Sequence, residues 1–423
     1  MPAASDLSPN MAAFQAALTA FQNAGGDPSQ FQNASPIGQD RLVRKEVSLG
    51  SIREIEPPQD HIGFQLAPLL DVPADDVIFN YLNLDADGLA PARAEDSESE
   101  LAQKDETSGG EGRASVIDWA LKDHYDASDV NRYRELNKIA EAMRAGSLPL
   151  TVSSALDDFA GRVARDRLRR RRKLDNRHEK LVMDAMSTGT IGYNDGKIKF
   201  AVDYGRPADQ SAGNVAFDVA DAGITDGQFD MSGTNFDPIR FINELNEFMY
   251  DRYGIRFDRV IGARKAFNKF VNSDKFAQRA GLGYAPQGGD AQAAPDPLYL
   301  LDGWGPDAAR ALVQRTTGVN FIEYDSVYRT RALGSKTIQS TRFLPQNRLI
   351  FLPAAADLGE IDNTQIGFAK TLTSPHPEGN WSSGYYEWER STVDPWGQDV
   401  GNGIKMFPVF PHMEFTCAVD VLI

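Results

Sequence analysis

The segment Arg162–Lys180 (RVARDRLRRRRKLDNRHEK) holds roughly a quarter of the basic residues of this chain. Guanidinium groups at this density bind phosphate or pair with carboxylates. The chain as a whole points away from phosphate. It carries 44 Lys+Arg against 60 Asp+Glu, a formal net charge of -16, and its sequence pI is about 4.8. A general nucleic-acid or anionic-membrane binder attracts its partner with net positive charge. Geometry points the same way. At about 100° per residue, the unbroken run Arg169–Lys173 covers the whole circumference of a helix. A groove-reading helix keeps its cations on one face and packs the other. This one should meet partners on more than one side or stand in solvent, where its charges would serve only solubility. A complement exists in the same chain: Glu95, Asp96, Glu98, Glu100, Asp105, Glu106 and Glu111 lie in one Gly-loosened stretch. We expect Glu95, Asp96, Glu98 and Glu100 of one copy to face Arg165, Arg169, Arg170 and Arg172 of another. Exposed ion pairs contribute about 0.2–1 kcal/mol each, so such contacts set register more than affinity.

Other chemistry is scarce. No phosphate-cradling G-x-x-x-x-G-K-[ST], H-E-x-x-H, G-x-S-x-G or strand-following G-x-G-x-x-G occurs. His61, His124, His178, His376 and His412 lie far apart, without the i,i+4 pairing of metal ligands. Each reads as structural or exposed. The single Cys417 excludes an intrachain disulfide and a thiolate zinc site. Trp388 and Trp396 bracket Asp394-Pro395, a pattern that suits core packing plus a turn better than a ligand box. No catalytic, cofactor or metal residue is nominated. No apolar run reaches bilayer-spanning length. The N-terminal residues lack the charged and apolar regions of a signal peptide, so the chain reads as intracellular.

The elements that must position these residues follow from periodicity. Met11–Asn23 is a short amphipathic helix with Phe14, Leu18 and Phe21 on one face. It is an arm that docks elsewhere, with Phe14 and Phe21 as its contact residues, or an unstructured tail. Val77–Leu82 and Val116–Leu121 are β-type runs. Paired together, they give a long hairpin with the acidic stretch Asp85–Gly112 at its tip. An isolated two-stranded hairpin is marginal in water, so this one should lie on something else. Asp129–Ala145 is a helix. A long helix follows over 152–188, with Ser153 or Ser154 as N-cap and Gly189 at its far end. Its apolar stripe is thin, so it should cross a surface and not sit inside a core. Lys197–Tyr204 is a strand, and Asp209–Gly233 is loop-like. Asp237–Tyr253 is a helix opening on Asp-Pro. A buried strand at Phe257–Gly262 and a short helix at Ala263–Phe270 follow, suggesting a compact α/β subdomain. Pro306–Thr316 (helix), Val319–Tyr324, Arg348–Leu352 and Phe415–Leu422 (strands) complete the pattern.

This order resembles the major capsid proteins of tailed bacteriophages, in detail the lambda-type major capsid protein E family. The resemblance is carried by Asp237–Phe267 (DPIRFINELNEFMYDRYGIRFDRVIGARKAF), Gly318–Tyr328 (GVNFIEYDSVY) and Asn347–Pro353 (NRLIFLP). Gly367–Thr371 (GFAKT), Trp388–Pro395 (WERSTVDP) and Phe407–Leu422 (FPVFPHMEFTCAVDVL) extend it to the C-terminus. It implies an α+β fold of the HK97 type. Residues 1–60 would be the N-arm, and 61–127 the E-loop hairpin, which in this fold lies over a neighbouring subunit. Residues 128–235 would form the peripheral domain with the spine helix 152–188, and 236–400 the axial domain. Residues 401–423 would be a strand returning to the peripheral domain. The implied function is structural: self-assembly into an icosahedral head shell around phage double-stranded DNA, with no enzymatic activity and no cofactor. The implied partners are copies of itself in hexamers and pentamers, a portal, a scaffold, a decoration protein, and packaged DNA held without sequence specificity; no membrane is involved. The implied location is the virion capsid, assembled in the host cytoplasm. An encapsulin-like nanocompartment shell, which shares the fold, is the alternative.

Overall fold

The computed structural model describes residues 52–82, 109–131, 150–195, 198–211, 224–225, 228–230, 237–271, 276, 298–331, 337–354, 368–393 and 396–422. Phe14, Phe21, Glu95, Asp96, Glu98 and Glu100 lie outside the described residues. So does most of the helix expected at 129–145.

In chain order, helix α1 (Gly63–Leu66) leads into β1 (Leu69–Asp71), β2 (Asp76–Leu82), β3 (Gly109–Ser115) and β4 (Ile117–Asp126). The long helix α2 (Leu150–Thr188) follows, then β5 (Thr190–Asn194), β6 (Lys199–Asp203), β7 (Ile224–Thr225) and β8 (Gln228–Asp230). Next come α3 (Pro238–Tyr253), β9 (Phe257–Gly262), α4 (Arg264–Val271), α5 (Leu298–Thr317), β10 (Asn320–Glu323), β11 (Val327–Arg331), β12 (Ile338–Arg342) and β13 (Arg348–Pro353). The chain closes with β14 (Lys370–Thr373), β15 (Tyr385–Val393), β16 (Trp396–Val409) and β17 (Cys417–Leu422). The mixed α+β class is as expected.

The hairpin exists, but its second arm is not the one expected. Val77–Leu82 pairs with 109–114, from Val77 opposite Ala114 to Leu82 opposite Gly109. Val116–Leu121 instead falls largely in β4, which pairs along its length with β16, from Ile117 opposite Met406 to Asp126 opposite Gly397. The apolar run is drawn there because Trp119 and Tyr125 can bury against the body of the protein. Gly109, Gly110 and Gly112, read as loosening a loop, are backbone partners that any strand can use.

Two larger sheets form the body. The first is built on β16. One edge pairs with β4; the other pairs with β15 and then with β14, which leads on to β1. On β16, Gly401 and Gly403 stand opposite Trp388 and Tyr386. A Cβ at either glycine would collide with those rings, so the aromatic side chains lie flat over the strand. The second sheet has the order β10-β9-β13-β17-β8-β7. β13 is central to it, as expected, and alternation along it divides the core. Leu349 and Phe351 pack on α3, α4 and α5, whereas Ile350 and Leu352 point to the opposite face, toward α2.

The expected boundary at 400 does not match this pairing. β14 and β15, assigned to the axial part, pair with the sheet that includes β4. β17, expected to return to the part containing the long helix, inserts between β13 and β8. Its residues Cys417 and Val419 belong to the α3–α5 core. The apolar alternation of a closing strand does not state which of two sheets it closes.

Local chemistry explains the subdomain helices. Asp237 caps α3 by accepting from the Arg240 N–H at 3.1 Å, and Pro238 occupies the first turn. Gly254, at φ 71°, ends the helix. Ile239, Ile242, Leu245 and Met249 form its buried stripe.

The long helix differs from expectation in two ways. It begins at Leu150, so Ser153 and Ser154 lie within it and not at its cap. Nor does its second half merely cross a surface. Leu174, Leu181, Val182, Met183, Ala185 and Met186 are buried in one core with Leu372, Ile404 and Met406 of the first sheet and Ile261, Ile350 and Leu352 of the second. Full burial of each larger apolar side chain contributes about 1.5–3 kcal/mol relative to exposure. A sparse stripe suffices because the remaining inward positions are filled by polar side chains with partners.

Candidate functional site

Those polar side chains make α2 the axis that ties the chain together. Near its start, Arg162 pairs with Asp129 at 2.8 Å. One turn on, Arg167 Nε donates to Glu387 Oε1 at 3.2 Å. Arg170, only 2 % exposed, donates to Asn402 Oδ1 at 2.8 Å and to Asp123 Oδ2 at 2.6 Å, and approaches Glu387 Oε1 at 3.5 Å. β4, β15 and β16 thus meet on one guanidinium. Arg171 donates to Asp175 Oδ1 at 2.8 Å and to the Ile52 carbonyl at 3.0 Å. Its guanidinium lies 3.1 Å from the centre of the Tyr385 ring, and the Tyr385 hydroxyl donates to Asp175 Oδ1 at 2.7 Å.

Further along, His178 shares a hydrogen bond with Thr371 Oγ1 at 2.8 Å and stacks on Phe64 at 4.0 Å between centroids. Glu179 accepts from the Ile62 N–H at 3.1 Å, the Gly63 N–H at 2.8 Å and the Tyr324 hydroxyl at 2.6 Å. Arg171, His178 and Glu179 therefore clasp residues 52–64 against the helix.

Burial sets the electrostatics. It pushes the carboxyls of Asp175, Glu179 and Glu387 upward, against the hydrogen bonds and cations that pull them down. It pushes the Tyr385 phenol well above its ordinary range. It pushes the His178 imidazole down to about 3, helped by the neighbouring His61 imidazole. Breaking such a buried pair from one side costs about 3–5 kcal/mol, whereas an apolar replacement of both sides is often neutral. The pairs fix where the strands sit on the helix more than they add stability.

The helix ends on cations. Gly189, at φ 74°, donates to the Ala185 carbonyl at 2.7 Å, as expected of the capping glycine. The buried Arg206 donates to the Met186 carbonyl at 2.6 Å. Arg348 donates to Ser187 Oγ at 2.9 Å and holds Asp420 with two bonds at 2.8 and 2.9 Å. Both cations sit at the negative end of the helix dipole.

The nominated arginines separate into two groups. Arg165 and Arg172 are exposed. Arg169 is exposed as well, although it pairs with Asp166 of the next lower turn at 2.7 Å. Arg170 is the correction: its carboxylates come from its own chain, and no surface is left for a neighbouring copy. The all-round charge reading failed because Arg170 and Arg171 face inward among Asp123, Asp175 and Glu387. Asp175, His178 and Glu179 were not nominated. The signal was present in Arg171–Asp175 and Asp175–Glu179, both spaced i,i+4, interleaved with Leu174 and Val182. Among the described residues, no group of three His, Cys, Asp or Glu side chains converges as if around a metal ion. No described helix is long and apolar enough to cross a membrane.

The family described as phage major capsid protein E matches residues 85–365, about two thirds of the chain. Among solved structures, a phage-related protein from Bordetella bronchiseptica RB50 is similar at 14% identity and TM-score 0.46, covering 89% of this chain and 97% of that one. A candidate prophage capsid protein from E. coli CFT073 is similar at 14% identity and TM-score 0.45, with the same coverage of 89% and 97%. A virus-like particle from Pyrococcus furiosus is similar at 9% identity and TM-score 0.35, covering 89% and 97%. No curated protein matches the chain in sequence.

Proposed function

Because the chain belongs to the phage major capsid protein E family, and is therefore a structural protein of a virion capsid assembled from copies of itself, we propose that its copies form the hexamers and pentamers of an icosahedral head around phage double-stranded DNA. The family match over residues 85–365 carries this reading. Three physical features support it. The β2–β3 hairpin pairs only with itself among the described strands, and such a hairpin gains stability by lying on a neighbour. The clasped core around α2 makes a stiff body that can be tiled. A net charge of -16 suits a shell that must not trap DNA during packaging.

On this reading the chain is not an enzyme and needs no cofactor. Its further partners are a portal, a scaffold, a decoration protein, and DNA without sequence specificity. Assembly takes place in the host cytoplasm. Arg165, Arg169 and Arg172 remain the exposed cations of α2 that a neighbouring copy can meet; the contacts proposed for Glu95, Asp96, Glu98, Glu100, Phe14 and Phe21 stand on sequence. Electron microscopy of the purified full chain tests the proposal. Closed shells of uniform diameter are expected; a chain that stays monomeric under all assembly conditions overturns it.

A further inference from the structure

Between α2 and β11 lies a cleft of about 600 Å³. Among the described residues, five cations line it: Lys173, Arg177 and Lys180 from the helix, and Arg329 and Arg331 from the strand. No described Asp or Glu does, in a chain with 60 acidic and 44 basic residues. Lys180 pairs with Asp184 at 2.5 Å. Among the described residues, Lys173, Arg329 and Arg331 have no ion-pair partner, and all three are exposed. A cleft lined by charge of one sign focuses its field, because protein walls screen less than water does. On a molecule of net charge -16 this is a local positive well.

The walls narrow the class of anion. The Arg177 guanidinium lies 5.0 Å from the centres of both the Trp119 and the Tyr193 rings. Those two rings meet edge to face at 5.0 Å. Tyr328, the remaining aromatic residue of the lining, packs on Phe343 at 5.0 Å. The rings are engaged by protein groups, so they hold Arg177 in place and do not form a stacking platform for a nucleobase. A guanidinium held in this way grips two phosphate oxygens at once. Four consecutive residues, Tyr328 to Arg331, line the cleft, so the edge of β11 borders it. β11 pairs with β12 alone among the described strands, and a free sheet edge adds backbone N–H donors to an anion site. Small-molecule sites measure about 300–1,000 Å³, and this cleft falls in that range. A lone phosphate is too small to meet cations on both walls, whereas a short chain of phosphates can. Duplex DNA would touch only the mouth and bring its whole length against a strongly anionic molecule.

We propose that this cleft is a binding site for a small oligophosphate: a short chain of linked phosphate groups, free or as the tail of a nucleotide, held without contact to any base. Arg177, fixed against its two rings, is the preorganised donor. Lys173 from one wall and Arg329 and Arg331 from the other supply the unpaired charge. The occupant ties α2 to the β11–β12 hairpin, whose Val327 and Ile338 are exposed and which pairs with no other described strand. Binding should therefore stiffen the unassembled subunit as well as neutralise the cleft. Every group named comes from one copy, so the site stands whether or not the shell reading holds.

Titration calorimetry and thermal melting of the unassembled full chain test this. The probes are inorganic tripolyphosphate, inorganic phosphate, ATP and a short DNA duplex. Tripolyphosphate should bind saturably at one site per chain and raise the melting temperature. Inorganic phosphate should bind at least about tenfold more weakly, since it meets fewer cations. ATP should bind as tripolyphosphate does, because only its phosphates are held; clearly tighter binding of ATP overturns the base-free assignment. Arg329→Gln/Arg331→Gln, on an exposed strand, should weaken tripolyphosphate binding at least about tenfold while the free chain keeps its melting temperature. Arg165→Gln/Arg172→Gln removes the same charge from α2 outside the cleft and should leave binding unchanged. No saturable binding of tripolyphosphate, or equal weakening by the two double variants, overturns the proposal. So does a duplex whose binding falls in the cleft variant while tripolyphosphate is not bound, which is the nucleic-acid outcome. Should the Arg329→Gln/Arg331→Gln chain misfold, Lys173→Gln on the opposite wall replaces it, with weakened binding again expected.

Discussion

Glu179 holds Gly63 by its backbone. The Gly63 N–H donates to Oε2 at 2.8 Å, and a methyl group at position 63 would stand 2.5 Å from that same oxygen. Ile62 and Tyr324 donate to the other carboxylate oxygen, so the carboxylate has little room to move aside. Gly63→Ala should therefore destabilise the subunit by about 1–3 kcal/mol through the displaced, buried carboxylate. Thermal melting of unassembled protein reads this, and an unchanged melting temperature would show that the clasp is loose.

Arg170 and Arg172 are two residues apart and should behave oppositely. Arg170→Met leaves Glu387 and Asp123 without their shared cation and should cost about 3–5 kcal/mol. Arg172→Glu, on the exposed side, should stay within about 0.5 kcal/mol of wild type. Urea denaturation of both variants checks the contrast. Any assembly defect of Arg172→Glu then reports on contact between copies; reversing the whole run Arg169–Arg172 would confound contact with folding.

His178 predicts an acid-side loss of stability. Its imidazole titrates at about 3 when folded, against 6.5 for the ordinary group. As pH falls, the unfolded chain takes up this proton first. The contribution is complete above about pH 6.5 and falls away toward 3, reaching a loss of about 2 kcal/mol near pH 5. Asp175 and Glu179, whose carboxyls are raised, act with the opposite sign: their contribution is full at low pH and is lost as pH rises through the folded value. Comparing urea midpoints at about pH 7.5 and about pH 5 for wild type and His178→Asn isolates the histidine. The variant should lose less stability between the two; parallel losses would refute the assignment.

Gly401 lies under the Trp388 ring across the β15–β16 ladder. Gly401→Ala should displace the indole and cost about 1–3 kcal/mol. A blue- or red-shifted tryptophan emission together with a lower melting temperature is the expected signature. A variant that melts like wild type would mean that the ring shifts without loss.

Much of the architecture was legible in local pattern. Asp237-Pro238 announced α3, Gly189 marked the end of α2, and Arg348–Leu352 read as a central strand. Each is a signal complete within a few residues. The errors arose where a segment's partner is distant. Val116–Leu121 read equally well against Val77–Leu82 or against a strand some 280 residues later; only the burial available to Trp119 and Tyr125 decides between them.

The functional surface divides in the same way. Composition by itself supplied the expectation that the basic helix meets protein partners before nucleic acid, and the order of motifs identified the family, because charge and periodicity are properties of the chain alone. Which arginines of that helix are buried was decided only by tertiary structure. Arg170 and Arg172 are the same residue type two positions apart. Their difference lies in Asp123, Glu387 and Asn402, which β4, β15 and β16 bring to one side of the helix and not to the other.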